Sequence, residues 1–174
     1  MPSPEQAILV ATGADHPGVL DDVSLFLHER KAKLFESRVS LLGGHFALLL
    51  LIGGDDAVLD VIRADLPELE KKAGIDVFLR EARAGTSGDF TPMRLRATGK
   101  DPAVTVHRLS HLMRVLGTNI ENIETHTTPA GKAEGGFELE MELSVPRHTP
   151  VVMLKQYVQS LASELSIECE VESM

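Results

Sequence analysis

Tryptophan is absent from this 174-residue chain and tyrosine occurs once. Flat side chains on which nucleobases stack are therefore scarce. Cysteine also occurs once, at Cys169. That excludes an internal disulfide and suits a reducing cytoplasm. No run of basic residues stands out against a formal net charge of −9. The chain repels phosphates overall, so direct binding to DNA or RNA is disfavoured. Long apolar runs are missing too. The stretch from Phe46 to Ile52 is far too short to cross a bilayer. Met1–Gln6 has neither the charged start nor the following apolar segment of a secretory signal. A cytoplasmic protein without membrane contact is expected.

What is present is a repeat. Ala11-Thr12-Gly13-Ala14-Asp15-His16-Pro17-Gly18-Val19 returns about 86 residues later as Ala97-Thr98-Gly99-Lys100-Asp101-Pro102-Ala103-Val104. Each copy follows a short apolar run and precedes a helix-like run. This spacing points to two copies of one small domain, not a solenoid. A copy of roughly 80 residues buries a modest share of its surface and gains from packing against a twin. Function is therefore expected where the copies meet.

The apolar periodicity gives the same element order in each copy. Ala7–Ala11 is apolar on both faces and reads as a central strand. Val19, Leu20, Val23, Phe26 and Leu27 form the stripe of an amphipathic helix. Residues 33–42 and 45–52 read as strands joined at Gly43-Gly44, a hairpin signal. Val58, Leu59, Ile62 and Leu66 mark a second helix, in which Pro67 predicts a break or kink. Ile75, Val77 and Leu79 alternate as a last strand.

Residues 84–92 are rich in turn formers and read as a linker between a domain at 5–83 and a second at 93–174. The second domain repeats the order, with strands at 93–98 and 119–127, a Gly-rich hairpin tip at 129–136, and helices ending near Gly117 and Leu165. Two βαββαβ units imply an α+β fold of two ferredoxin-like domains, each a four-stranded antiparallel sheet with two helices on one face. The first strand of each then lies between the third and fourth. In copy two this sets Arg94 and Arg96 between Glu138, Glu140, Glu142 and Glu168, Glu170, Glu172, a solvated charge ladder on the helix-free face. In copy one, Leu9, Ala11 and Phe78, with an apolar third strand, predict a sticky outer face. A homodimer, or contact with copy two, would cover it.

Catalytic and metal chemistry are poorly supplied. His107 and His111 are one helical turn apart, but no third ligand follows and HExxH is absent. Asp15 and His16 are adjacent and point apart, without a Ser or Cys nucleophile at a matching turn. Asp15, just ahead of Pro17 and the helix, reads first as a helix N-cap. Cys169 alternates inward as a small hydrophobe. No catalytic residue, metal ligand or cofactor is expected. An acylphosphatase-type enzyme on this fold would need an Arg in the first turn, where His16 stands. An RRM-type RNA binder would need aromatic residues and a basic face where copy two carries its ladder.

The βαββαβ order with Gly13-Ala14-Asp15-His16-Pro17-Gly18-Val19 after the first strand resembles the ACT domain. The tandem arrangement, the Glu36-Ser37-Arg38 strand before Leu42-Gly43-Gly44-His45-Phe46, and Asn119-Ile120-Glu121-Asn122-Ile123-Glu124 resemble the glycine cleavage system transcriptional repressor family. The resemblance implies a non-catalytic regulator that senses a small amino acid, glycine in that family. It implies control of a LysR-type transcriptional activator by protein contact. Regulation of a metabolic enzyme is the alternative. The implied ligand site pairs the turn Ala14, Asp15, His16, Pro17, Gly18 and Val19 with Asn119 and Ile120 of the facing domain. Backbone amides at a helix start suit a carboxylate, and an Asn side chain serves carboxylate or ammonium. Copy one keeps Gly18 but has Lys33 where the Asn would stand. Copy two keeps Asn119 but has Ala103 where the glycine would stand. One complete site per tandem pair follows, not two.

Overall fold

Alternate residues in the middle of strand β1 (Glu5–Ala14) are apolar and buried: Ala7, Leu9 and Ala11 have at most 2% exposure. In this computed structural model, which describes residues 5–83, 88–127 and 136–174, β1 is a central strand. It pairs antiparallel with β3 (His45–Gly54) on one side and β4 (Asp76–Glu81) on the other. Strand β2 (Lys33–Leu42) adds to the far side of β3, giving the order β2-β3-β1-β4. Helices α1 (Val19–Glu29) and α2 (Asp56–Ala73) cover the face that carries Leu9, Leu48 and Leu50. Their buried stripes, Val23-Phe26-Leu27 and Ile62-Leu66-Leu69, complete one core.

The second unit repeats this with β5 (Phe90–Gly99), α3 (Pro102–Val115), β6 (Asn119–Thr127), β7 (Phe137–Pro146), α4 (Val151–Leu165) and β8 (Glu168–Ser173), in the order β6-β7-β5-β8. Contacts divide the chain into Met1–Gly85 and Thr86–Met174, each with its own core. The repeat extends to irregularities. The register slips between Leu34 and Glu36 against β3, and between Ile120 and Asn122 against β7. A β-bulge therefore sits two residues into the second strand of both units, twisting that edge locally. Strand β5 starts at Phe90, upstream of the expected Met93, because Phe90 and Thr91 continue the ladder opposite Pro146 and Val145. The expected Gly-rich tip lies outside the described residues except for Gly136.

Two expectations are corrected. Pro67 does not break its helix: α2 runs unbroken for 18 residues. The missing N–H forfeits one hydrogen bond, while Leu59, Ile62, Leu66, Leu69 and Ala73 bury a continuous stripe on both sides of it. Asp55 caps the helix, accepting from Val58 N at 2.9 Å, and Gly74 ends it at φ 64°. Leu9 and Ala11 do not face outward; both are fully buried under the helices. The outer face of β1 consists of the intervening Ile8, Val10 and Thr12. That face is still apolar at its centre, because Leu49 and Leu51 of β3 lie opposite Val10 and Ile8.

The outer face of the second unit is the charge ladder. Arg96 Nε lies 2.9 Å from Glu140 and Arg96 Nη1 2.8 Å from Glu172, while Arg94 Nε lies 3.1 Å from Glu140. Contacts run along the diagonal as well as straight across, within reach of a long side chain. Between α1 and α2 of the first unit, Arg30 stacks 3.7 Å above the Phe26 ring and reaches Asp65 at 2.8 Å. With the Lys72–Asp22 pair at 2.9 Å, its guanidinium adds a polar tie between two helices packed through apolar groups.

Truncation should separate these layers. Leu9→Ala and Leu95→Ala, each at a fully buried position, should each cost about 2–5 kcal/mol in urea unfolding. Leu42→Ala, at a side chain 84% exposed, should shift stability by no more than about 0.5 kcal/mol.

Candidate functional site

The turn after β1 is held from both ends. Ala14 closes the ladder opposite His45, and Asp15 N donates to Gly44 O at 2.9 Å. The β2–β3 hairpin, turned by Gly43 and Gly44 at φ 60° and 78°, therefore anchors the turn. Pro17 and Gly18 then redirect the chain into α1. Gly18 is the N-cap, at φ 99° and ψ −13°, and no side chain caps the helix. A residue with a Cβ would meet no neighbour within 4 Å here, so the glycine requirement is one of backbone conformation alone. This corrects the reading of Asp15 as N-cap. Asp15 lies three residues upstream of the true cap and is exposed.

The second unit caps its equivalent helix differently. Asp101 precedes α3, its carboxylate accepts from Val104 N at 3.0 Å, and Pro102 opens the helix. Ala103 is the second helical residue. An internal carboxylate thus already occupies the start of α3, whereas the start of α1 has no side-chain partner.

His16 is pinned across the turn. Its Nε2 lies 3.0 Å from the Ala73 carbonyl at the end of α2, and its Nδ1 lies 3.2 Å from the Pro17 carbonyl. Neutral imidazole has one N–H and serves one of these acceptors; imidazolium serves both. The Ala73 carbonyl first, then that of Pro17, raise the His16 pKa above the ordinary 6.5. Sequence reasoning did not foresee this tie between the turn and α2, because Ala73 is 57 residues away.

A cavity of about 210 Å³ opens beside the turn. Asp15, His16, Gly18, Val19 and Leu20 form one wall, and Val39, Leu41, Phe46 and Leu48 the other. The strand wall was missed as part of the site. Its signal was present in the sequence: Val39 and Leu41 alternate toward the helix side, opposite Leu48 and Phe46.

Asn119 and Ile120 belong to the second unit. Asn119 opens β6 opposite Ser144 and donates Nδ2 to Glu121 Oε1 at 2.8 Å. Ile120 packs partly buried against the second core. Lys33 opens β2 opposite Gly53, the position equivalent to Asn119. The structure therefore gathers Ala14 through Val19 in one place and sets Asn119 at the matching strand start of the other unit. His107 and His111 share α3, with Arg114 Nη2 3.3 Å from His111 Nδ1. Among the described residues, no group of three or more His, Cys, Asp or Glu side chains is arranged to hold a metal. Burial pushes the Cys169 thiol up to about 11, so it is not a thiolate nucleophile at neutral pH. No helix among the described residues is long and apolar enough to cross a membrane.

Residues 5–80 match the ACT domain family. An ACT domain thus spans the first unit. The second unit repeats the ACT fold of the first, strand for strand and bulge for bulge. Over 169 residues the chain is 22% identical to the glycine cleavage system transcriptional repressor of Escherichia coli K12, covering 92% of this chain and 86% of that one. A crystal structure of an unknown protein from Galdieria sulphuraria superposes with a TM-score of 0.77 at 23% identity, covering 99% of both chains. The structure of a candidate glycine cleavage system transcriptional repressor gives a TM-score of 0.75 at 15% identity, over 98% of this chain and 97% of that one. These two likenesses extend the tandem ACT fold over the whole chain.

Two measurements test the turn. NMR titration should place the His16 pKa above 6.5. The stability it adds should be fully present below that unfolded-state value and vanish as pH rises through the folded value, and His16→Phe should remove this dependence. Gly18→Ala, forced into a positive φ, should cost about 1–2 kcal/mol in urea unfolding.

Proposed function

We propose that this ACT protein is a non-catalytic cytoplasmic regulator that binds a small amino acid at the Ala14–Val19 turn. It controls a LysR-type transcription factor by protein contact, and glycine is the signal expected from the repressor likeness. The observation that carries the reading is the start of α1. Its N-cap is a glycine in a left-handed conformation, no side chain caps the helix, and a cavity adjoins it. Backbone amides there are suited to an α-carboxylate. The net charge of −9 fits contact with a protein better than with DNA. The kinship with a protein named as a repressor of the glycine cleavage system supports the regulatory role.

One ligand per tandem pair is part of the proposal. The first turn would supply amides, and Asn119 with Ile120 the matching strand start of the other unit. The converse pairing is degenerate, because Asp101 already caps α3 and Lys33 stands where Asn119 stands in the other unit. A regulator must also bind its ligand more tightly in one conformation or assembly than in another, since equal affinity shifts nothing.

A thermal-shift screen against the common amino acids tests this. A ligand at about 100 times its Kd stabilises by roughly 2.7 kcal/mol, which raises Tm by roughly 5–10 °C for a chain of this size. The shift should disappear in Gly18→Leu and in Asn119→Ala. No shift with any amino acid, or a shift that survives both substitutions, overturns the proposal.

A further inference from the structure

The helix-free faces of the two sheets differ in a way that the amino-acid site does not use. In the second unit that face is the Arg–Glu ladder. In the first unit its two central strands present Ile8 and Val10 on β1 beside Leu51 and Leu49 on β3. Leu49 is 46% exposed and Phe78, on β4 next to Val10, is 44% exposed. An apolar centre of this kind, open to water on a sheet of four strands, marks a contact surface.

The strand register shows what fits it. Across one rung the face reads Glu36, Leu51, Ile8, Arg80, and across the next Arg38, Leu49, Val10, Phe78. On the third rung the β4 edge carries Asp76, opposite Thr12. One edge of the face thus holds Glu36 and Arg38, and the other holds Arg80, Phe78 and Asp76. A two-fold axis parallel to the strands, in the plane above the face, lays β2 over β4 and β3 over β1 while keeping each rung at its own height. Under that operation Glu36 meets Arg80 of a second copy, and Ile8 meets Leu51. Val10 meets Leu49, and Arg38 lies over Phe78 next to Asp76. On these two rungs Glu36 and Arg80 find the opposite sign, Arg38 finds a ring face, and Ile8, Val10, Leu49 and Leu51 find apolar residues. Under the same operation the charged face of the second unit would set Glu124 over Glu170 of the copy and bury a charge ladder instead of an apolar centre.

We propose that the helix-free face of the first sheet is a homodimer interface: two copies of this chain stack these faces about a two-fold axis along the strands. Such an interface is isologous, so each contact occurs twice. Its packing is that of aligned sheets in a sandwich, where the inner side chains interdigitate. Because the helices lie on the opposite side of the sheet, the dimer leaves the Ala14–Val19 turn and its cavity uncovered, and it does not depend on the amino-acid reading.

Sedimentation velocity of the full chain tests it, with circular dichroism and thermal unfolding as folding controls. The wild type should be a dimer and Leu49→Glu a folded monomer. The charge pairs test the geometry without touching the apolar centre. Glu36→Arg alone and Arg80→Glu alone should each raise the dimer Kd at least about tenfold, since each places like charges together twice. The double variant Glu36→Arg/Arg80→Glu should restore the wild-type Kd to within about threefold. A monomeric wild type would overturn the proposal and leave the face to a different protein. A dimer that withstands Leu49→Glu, or a double variant no better than the single ones, would overturn it in favour of another surface or another stacking. If Leu49→Glu fails to fold, the charge series decides alone.

Discussion

The parity of the central strand governs the first unit. Alternate residues of a strand point to opposite faces, so burying Ala7, Leu9 and Ala11 beneath the helices commits Ile8, Val10 and Thr12 to the other side. The registers of β3 and β4 are then fixed, because their buried sets, Leu48 and Leu50 and Val77, must share the helix side with Leu9 and Ala11. A slip by one residue would exchange core and surface along the whole sheet. The turn that follows β1 inherits its position from the same register: Ala14 ends opposite His45, and Asp15 N reaches the Gly44 carbonyl.

The two units then diverge through small chemical choices on one scaffold. One helix begins at a left-handed glycine without a side-chain cap, and the other begins at Asp101 followed by a proline. Both solutions start a helix. Only the first begins without a side-chain cap. The matching strand starts diverge in the opposite sense, Lys33 in one unit and Asn119 in the other. The duplication thus carries complementary differences at matching positions. The outer faces diverge in the same manner. Alternating Glu and Arg keep one sheet solvated, while Ile8, Val10, Leu49 and Leu51 give the other an apolar centre rimmed by both charges.

Much of the fold is legible in the sequence because the physics behind it is local or periodic. Alternation in Phe137–Val145, the Gly43-Gly44 turn and the helical stripe from Val19 to Leu27 each state their conformation within a few residues. The duplicated turn motif fixes the two-unit organisation, and the ladder of Arg94 and Arg96 among glutamates follows from strand order and parity. Pro67 is the instructive exception. Local propensity forecasts a break there, and a buried stripe running past it keeps the helix whole.

By itself the sequence determined the element order, the repeat, the glycine at the helix start and the asymmetry between Gly18–Lys33 and Ala103–Asn119. Tertiary structure alone decided which side of a strand apolar on both faces is core. Leu9 and Val10 are equally apolar, and only the helices packed on one side separate them. It also decided the surroundings of the turn. The Ala73 carbonyl that holds His16 and the strand wall of Val39 and Leu41 come from distant segments. Such contacts arise when a sheet closes. A sequence carries no local record of them, because the groups that meet are fixed by the register of the whole sheet and not by their neighbours in the chain.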